Sequence, residues 1–337
     1  MRPDFIAEDL HILQQQLSQP KRVVLLGHVS PDGDAVGSTL AFARILEQQG
    51  HQVTVIYPTP FSQTLAFLPG ADRTIIGKDE LERAEEEIAK SEVILCMDFN
   101  EAYRVQVLLT SLEASSAFKV MIDHHPYPAD FTDLSFSYPA LSSTCLLTYH
   151  LVQALGWDHY IDKGVATCIY VGMMTDTGFL TYNSDDPSIY LTISALLEKG
   201  IEKDAVTSEI TRNFSFNKIK LNAYLLSNKM EFYPEYKASI ITMSMAEKRK
   251  YDYQIGDVEG LVNEPLTSKE IELSIFLHEM PRITKVSLRS KGDFSVNKFA
   301  SQFFNGGGHC NAAGAELYMS LEEAVKLVRQ AVEIMHP

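Results

Sequence analysis

The sequence predicts an α/β protein: a doubly wound, mostly parallel sheet in the first domain and a smaller α+β domain after it. Short apolar runs rich in β-branched residues alternate with helical patterns between residues 22 and 122, the signature of strand–helix–strand units. Acidic and imidazole side chains directly follow several of these runs, where open α/β sheets place their ligands. From about residue 230 the texture changes to short alternating runs, then a glycine-rich stretch and a last helix. The expected limits are 1–190 for the first domain, 191–230 for a helical linker and 231–337 for the second domain.

The elements follow in order. Phe5, Ile6, Leu10, Leu13 and Leu17 recur as in a leading helix that covers the sheet. Arg22-Val23-Val24-Leu25-Leu26 reads as a strand buried on both faces. Phe42, Ile45 and Leu46 recur at helical spacing, and Gly50 supplies the stop. Residues 52–57 form a second strand ended by Pro58 and Pro60. A charged helix over 79–90 precedes a third strand, 92–97, which ends at Asp98-Phe99-Asn100; a fourth, 118–122, ends at Asp123-His124-His125-Pro126. Ser142-Ser143 start a helix through Leu155, and a buried helical segment over 163–175 leads to Asp176 among small residues. Helical patterns over 187–199 and 214–228 carry no evident chemistry. Runs at 237–243, 271–277 and 284–289 alternate as strands, Asn305 to Gly314 is glycine-rich, and Leu321, Ala324, Val325, Val328, Ala331 and Val332 mark a closing helix.

Composition narrows the function. With 337 residues and 45% apolar content the chain can bury two cores. A net charge of −15 repels polyanions, which disfavours a grip on long nucleic acid. Cys96, Cys145, Cys168 and Cys310 are far apart and read as buried reduced thiols. No stretch approaches a membrane span and Met1-Arg2-Pro3-Asp4 lacks a signal pattern, so a cytoplasmic protein without membrane contact is expected.

The stretch from Gly27 to Ser38 carries the first chemistry. His28, Asp32 and Asp34 crowd one imidazole and two carboxylates into seven positions, and such groups converge only by mutual neutralisation or around a cation. Oxygen donors with an imidazole suit Mn²⁺ or Mg²⁺ ahead of Zn²⁺ or Co²⁺. The same loop also reads as an ordinary βα turn in which Ser30 and Asp32 start and cap the helix.

The polar clusters His28/Asp32/Asp34, Asp98, Asp123-His124-His125 and Asp176 resemble, in order and setting, the four motifs of the DHH phosphoesterase superfamily. Gly307-Gly308-His309 with Ala312-Ala313-Gly314 looks like the signature of its substrate-binding DHHA1 domain. The chain is most similar to the stand-alone bacterial nanoRNase and pAp (3′-phosphoadenosine-5′-phosphate) phosphatase branch. That resemblance implies two divalent metals, usually Mn²⁺, with Mg²⁺ or Co²⁺ as substitutes. It implies that His28, Asp32 and Asp98 hold one ion and Asp34, Asp98, His124 and Asp176 the other, with Asp98 bridging. His125 is then a phosphate contact or proton donor, and Asp123 orients His124. Gly307, Gly308, His309 and Arg289 would bind the far phosphate or the next nucleotide. Phe303 and Phe304 read as core before base-stacking residues. Many relatives have asparagine where this chain has Ser30, which changes only loop hydrogen bonding.

The implied activity is hydrolysis of short oligoribonucleotides to mononucleotides and dephosphorylation of pAp. The second enzyme reading is cleavage of cyclic dinucleotides or their linear products. A regulator that has lost catalysis fits less well, because all six candidate ligands are present. The expected partners are short RNA or small nucleotides, with a homodimer left open.

Overall fold

The structure, a computed structural model, describes residues 3–212 and 214–337, which form two compact units divided at Asn213/Phe214. That division falls inside the 191–230 segment read as a linker. The first unit runs α1 (Ala7–Gln16), β1 (Arg22–Leu26), α2 (Gly33–Gln48), β2 (Gln52–Tyr57), β3 (Ile75–Ile76), α3 (Leu81–Lys90), β4 (Val93–Met97) and α4 (Leu109–Ala114). It continues through β5 (Phe118–Asp123), β6 (Leu134–Ser137), α5 (Thr144–Ala154), α6 (Lys163–Asp176), α7 (Pro187–Glu198) and α8 (Lys203–Arg212).

Its strands pair in the order β3-β2-β1-β4-β5-β6, every pairing parallel. Successive strand residues point to opposite faces. Val23 and Leu25 of β1, with Val93, Leu95 and Met97 of β4, join the layer formed with α2, α5 and α6. Val24, Leu26, Ile94 and Cys96 join the opposite layer with Ala84 and Ile88 of α3 and Leu112 of α4. Two covered faces are what a doubly wound sheet requires. After β1 the chain adds strands on one side, then returns to place β4 on the other, so β1 and β4 flank the switch in strand order. Ligands of such sheets bind outside the carboxyl ends at that point.

The fit of α2 against α6 fixes the centre. A Cβ on Gly37 of α2 would meet the Cys168 carbonyl oxygen at 2.5 Å, and one on Gly172 of α6 would meet Cys145 Sγ at 2.2 Å and Asp34 Oδ1 at 2.8 Å. Only glycine permits this approach. Gly172→Ala is expected to cost about 1–3 kcal/mol by overpacking and to displace the Asp34 carboxylate. A lower thermal midpoint together with weaker divalent-metal binding would be the readout, and a variant matching wild type in both would refute this role for Gly172.

The second unit runs α9 (Phe216–Tyr224), β7 (Met230–Tyr233), β8 (Ala238–Met243), α10 (Met245–Lys250), β9 (Leu273–Glu279), β10 (Thr284–Ser290), α11 (Val296–Phe304), β11 (Gly307–Gly308), β12 (Ala312–Leu317) and α12 (Leu321–Ile334). The sheet order is β11-β12-β10-β9-β8-β7, with β8 parallel to β9 and the other pairs antiparallel. Val286, Leu288, Ile275 and Leu277 meet α11 and α12 on one face, while Ile241, Met243 and Phe276 meet Leu221 of α9 on the other. Phe304 is buried in the first of these clusters and Phe303 packs against it, as the core reading expects. Tyr251 and Tyr253 pack on the second cluster.

Several elements lie outside the sequence reading, among them the strands β3 and β6 and the helices α4, α8, α10 and α11. The two strands are two and four residues long, too short for a period to register. One cysteine departs from expectation. Cys310 is exposed, because it lies in the turn between β11 and β12, whereas Cys96, Cys145 and Cys168 are buried and unpaired.

Candidate metal centre

Adjacent strands deliver the candidate ligands to one edge. His28 follows β1 in a loop held by Val29 N donating to the Arg104 carbonyl (2.8 Å) and Ser30 N donating to Thr59 Oγ1 (2.7 Å). The His28 Nδ1 lies 2.8 Å from the Val29 carbonyl oxygen. A carbonyl only accepts, so Nδ1 carries a proton and Nε2 is the ligating atom. That Nε2 is 3.5 Å from Asp98 Oδ2. Asp32 Oδ1 accepts from Asp34 N and Ala35 N, both at 3.0 Å, and so caps α2. The cap does not displace the metal reading, since His28, Asp32 and Asp98 each offer a donor atom within 4.8 Å of the others.

Asp34, Asp98, His124 and Asp176 close the other half. The Asp34 carboxylate sits on the N-terminus of α5, where Thr144 N donates to Oδ2 (2.6 Å) and Cys145 N to Oδ1 (2.9 Å). Backbone donors at a helix start favour an anion there. Asp98 takes φ +64° at the end of β4, with Thr144 Oγ1 donating to its Oδ1 (2.7 Å). His124 places Nδ1 3.1 Å from the Leu141 carbonyl oxygen, which directs Nε2 toward Asp34 Oδ2 (3.8 Å), Asp98 Oδ1 (3.7 Å) and Asp176 Oδ2 (3.5 Å). Asp176 is the last residue of α6, partly exposed at the rim.

Asp123 corrects one expectation. It does not orient His124; its Oδ1 is 2.7 Å from His125 Nδ1 and its Oδ2 accepts from His125 N (2.9 Å). The reason is a turn at the strand end: β5 stops at Asp123, whose carboxylate accepts from the backbone N–H two residues on and so holds the His125 ring beside it. His124 is instead oriented by a carbonyl.

The electrostatics of this edge suit a cation. Burial and the charges of Asp98 and Asp176 hold the Asp34 carboxyl well above its ordinary range. Burial, with Asp32 and Asp98, pushes Asp176 up to about 7 against the pull of His124. Burial would lower His124, but Asp176, Asp98 and Asp34 outweigh it and raise it to about 10. His125 is likewise raised, by Asp123 against burial. Burial also opposes ionisation of Asp98, yet contact with His28 and the charges of His125 and His124 keep it below the ordinary carboxylate range. Carboxylates packed this closely retain protons unless a cation replaces them. Oxygen donors with two imidazole Nε2 atoms match a hard or borderline divalent ion.

In the second unit, Gly307 and Gly308 form the edge strand β11, paired with Gly314 and Ala313. A Cβ on Gly306 would meet the Gly314 carbonyl oxygen at 2.3 Å, so this stretch is a close-packed ladder, not a flexible turn. His309 N donates to the Ala312 carbonyl (2.7 Å), and Ala312 is the register partner of Arg289 on β10. The fold thus gathers Arg289, Gly307, Gly308 and His309 near one corner of the second sheet. Sequence reasoning passed over Thr144, the Leu141 carbonyl and Gly172. Thr144 was within reach, because it follows Ser142-Ser143 at a predicted helix start.

A parallel sheet carrying a carboxylate–imidazole cluster at its switch point defines a hydrolase-type centre that uses divalent metal. Residues 22–173 match the DHH family, N-terminal domain, and residues 237–334 match the DHHA1 domain. The chain belongs to the DHH/DHHA1 phosphoesterase family. It is 41% identical to an exopolyphosphatase-related protein from Bacteroides fragilis of known crystal structure, over 99% of this chain and 98% of that one, with a TM-score of 0.91. It is 27% identical to the bifunctional oligoribonuclease and PAP phosphatase NrnA of Thermus thermophilus, over 92% of this chain and 89% of the relative. The fold is shared with RecJ of Thermus thermophilus solved in complex with Mn²⁺ (TM-score 0.55, 16% identity), which covers 98% of this chain and 55% of that chain. Among the described residues no helix is long and apolar enough to cross a membrane.

Proposed function

We propose that this chain hydrolyses phosphoesters of small nucleotides in the cytoplasm, cutting short oligoribonucleotides to mononucleotides and removing the 3′-phosphate of pAp. Two divalent ions, Mn²⁺ first among them, are part of the reading. The observation that carries it is Asp98, whose Oδ2 faces His28 and whose Oδ1 faces His124, at the junction of two donor clusters. The name carried by the Thermus thermophilus relative, an oligoribonuclease and PAP phosphatase, supports the substrate class.

His28, Asp32 and Asp98 would hold one ion and Asp34, Asp98, His124 and Asp176 the other. Bound there, the ions supply an acidified water and positive charge for the phosphate oxygens. The chain's own groups do the rest. Thr144 and the start of α5 fix the two innermost carboxylates, and carbonyl contacts at Nδ1 fix both imidazoles with Nε2 inward. Asp123 accepts from His125 Nδ1, which raises the imidazole's basicity against the effect of burial. His125 can then hold a phosphate oxygen or give its proton to the leaving oxygen. Arg289, His309 and the bare backbone of Gly307 and Gly308 would receive the far phosphate or the next nucleotide.

The test is turnover with Mn²⁺ on a 5′-phosphorylated RNA dinucleotide, pAp, a cyclic dinucleotide and pyrophosphate at equal concentration. The first two should exceed the others by about tenfold or more in kcat/KM. A preference for the cyclic compound would move the protein to cleavage of cyclic dinucleotides at the same centre.

A further inference from the structure

In the first unit, the described non-glycine residues at positive φ are Ser30, Asp98, Gln106, Tyr127, Phe179, Leu180 and Asn183. All lie in the connections β1–α2, β4–α4, β5–β6 and α6–α7, the four that leave the metal centre. Strain of this kind persists where the surroundings over-determine it and concentrates at functional sites. For Asp98 the centre itself accounts for the strain, and Leu180 packs on the core. Ser30, Gln106, Tyr127, Phe179 and Asn183 have neither explanation, and of the two aromatic side chains among them Tyr127 is the more exposed.

Tyr127 stands two residues beyond His125 with φ +60° and 79% of its surface exposed. It lies between Pro126 and Pro128, and a residue preceding proline is restricted to extended backbone. The loop holds it there by contacts to the residues that follow Asp98. Asn100 Nδ2 donates to the Pro126 carbonyl (2.8 Å), Ala129 N donates to the Asn100 carbonyl (2.8 Å), and the Phe131 ring stacks on Phe99 at 6.0 Å between centroids and 17°. Among the described residues the Tyr127 ring packs against no other aromatic ring. A large aromatic side chain is thus displayed to water on a strained, hydrogen-bonded loop that leaves the metal centre. Burial of its own surface does not offset that strain; contact with a flat π face would.

We propose that Tyr127 is a stacking platform for the nucleobase of the nucleotide bound at the metal centre, and so a specificity-determining residue. This rests on the nucleotide phosphoesterase reading above. The flanking prolines restrict the backbone around Tyr127, which lowers the ordering cost of binding. Stacking reads the π face and not base edges, so the platform selects ligands that carry a base over those that lack one and accepts any base.

The probe is the product AMP against ribose 5-phosphate, which lacks the base, with Mn²⁺ present and binding followed by calorimetry. Tyr127→Ala should weaken AMP about tenfold, leave ribose 5-phosphate unchanged, and raise KM for an RNA dinucleotide at constant kcat. Tyr127→Phe and Tyr127→Trp should keep wild-type AMP affinity. Equal AMP affinity in wild type and Tyr127→Ala, an equal loss for both ligands, or no AMP binding by wild type would each overturn the platform. A wild type that binds AMP in the expected pattern yet turns over no phosphoester would sink the enzymatic reading and leave the platform standing.

Discussion

Asp98→Asn should abolish turnover while leaving the fold intact, with kcat/KM falling by about 10³-fold or more. The size follows from its position: an amide in place of the carboxylate removes the charge that faces both His28 and His124. Loss of metal-borne charge stabilisation costs several kcal/mol, at about 1.4 kcal/mol per decade of rate. The metal-free variant should also be less stable than the wild type, because, against burial, contact with His28 and the charges of His125 and His124 hold Asp98 below the ordinary carboxylate range, and an amide loses that stabilisation. A ligand that binds only the native state adds RT ln(1 + [L]/Kd), about 2.7 kcal/mol at a hundred times Kd. Mn²⁺ should therefore raise the thermal midpoint of the wild type and raise that of Asp98→Asn far less. Wild-type rates or an undiminished Mn²⁺ shift in the variant would remove Asp98 from the centre.

Much of this site was legible because strand ends are local. The apolar runs before His28, Asp98 and Asp123 announce buried strands, and polar residues directly after them announce the carboxyl edge. Which ends are neighbours is not local. The adjacency of β1, β4 and β5 brings Asp98 between His28 and His124, and it depends on β2 and β3 lying on the far side of β1. The partner of Asp123 was legible in principle, since an aspartate ending a strand commonly accepts from the backbone two residues on, here His125, yet the expectation attached it to the adjacent ligand. Gly172 illustrates the opposite limit. Its need arises from a contact between α6 and the Asp34 carboxylate, 138 positions away in sequence, and no spacing within α6 signals it. The short strands β3 and β6 are held by pairing with longer neighbours, so their own residues carry little pattern.

Divalent-metal affinity should climb steeply with pH between 6 and 8, because in the metal-free protein protons occupy the positions that metal takes. Asp176 is raised to about 7 and His124 to about 10, and both must lose a proton before they can ligate. Above pH 7 Asp176 is largely ionised but His124 must still give up its proton, and Asp34, held well above the ordinary carboxylate range, adds to the release, so affinity rises by at least about tenfold per pH unit. Below pH 7 Asp176 must lose its proton too and the slope steepens. Over the interval from pH 8 to pH 6 the affinity for Mn²⁺ should fall by at least about 10²-fold. Calorimetry in two buffers of different ionisation enthalpy counts the protons released and checks the slope independently. Asp176→Asn should bind more weakly at pH 8 and lower the slope below pH 7 by about one proton, since Asp176 no longer titrates on binding. A wild-type affinity independent of pH across this range would mean that the carboxylate–imidazole cluster does not hold the ion.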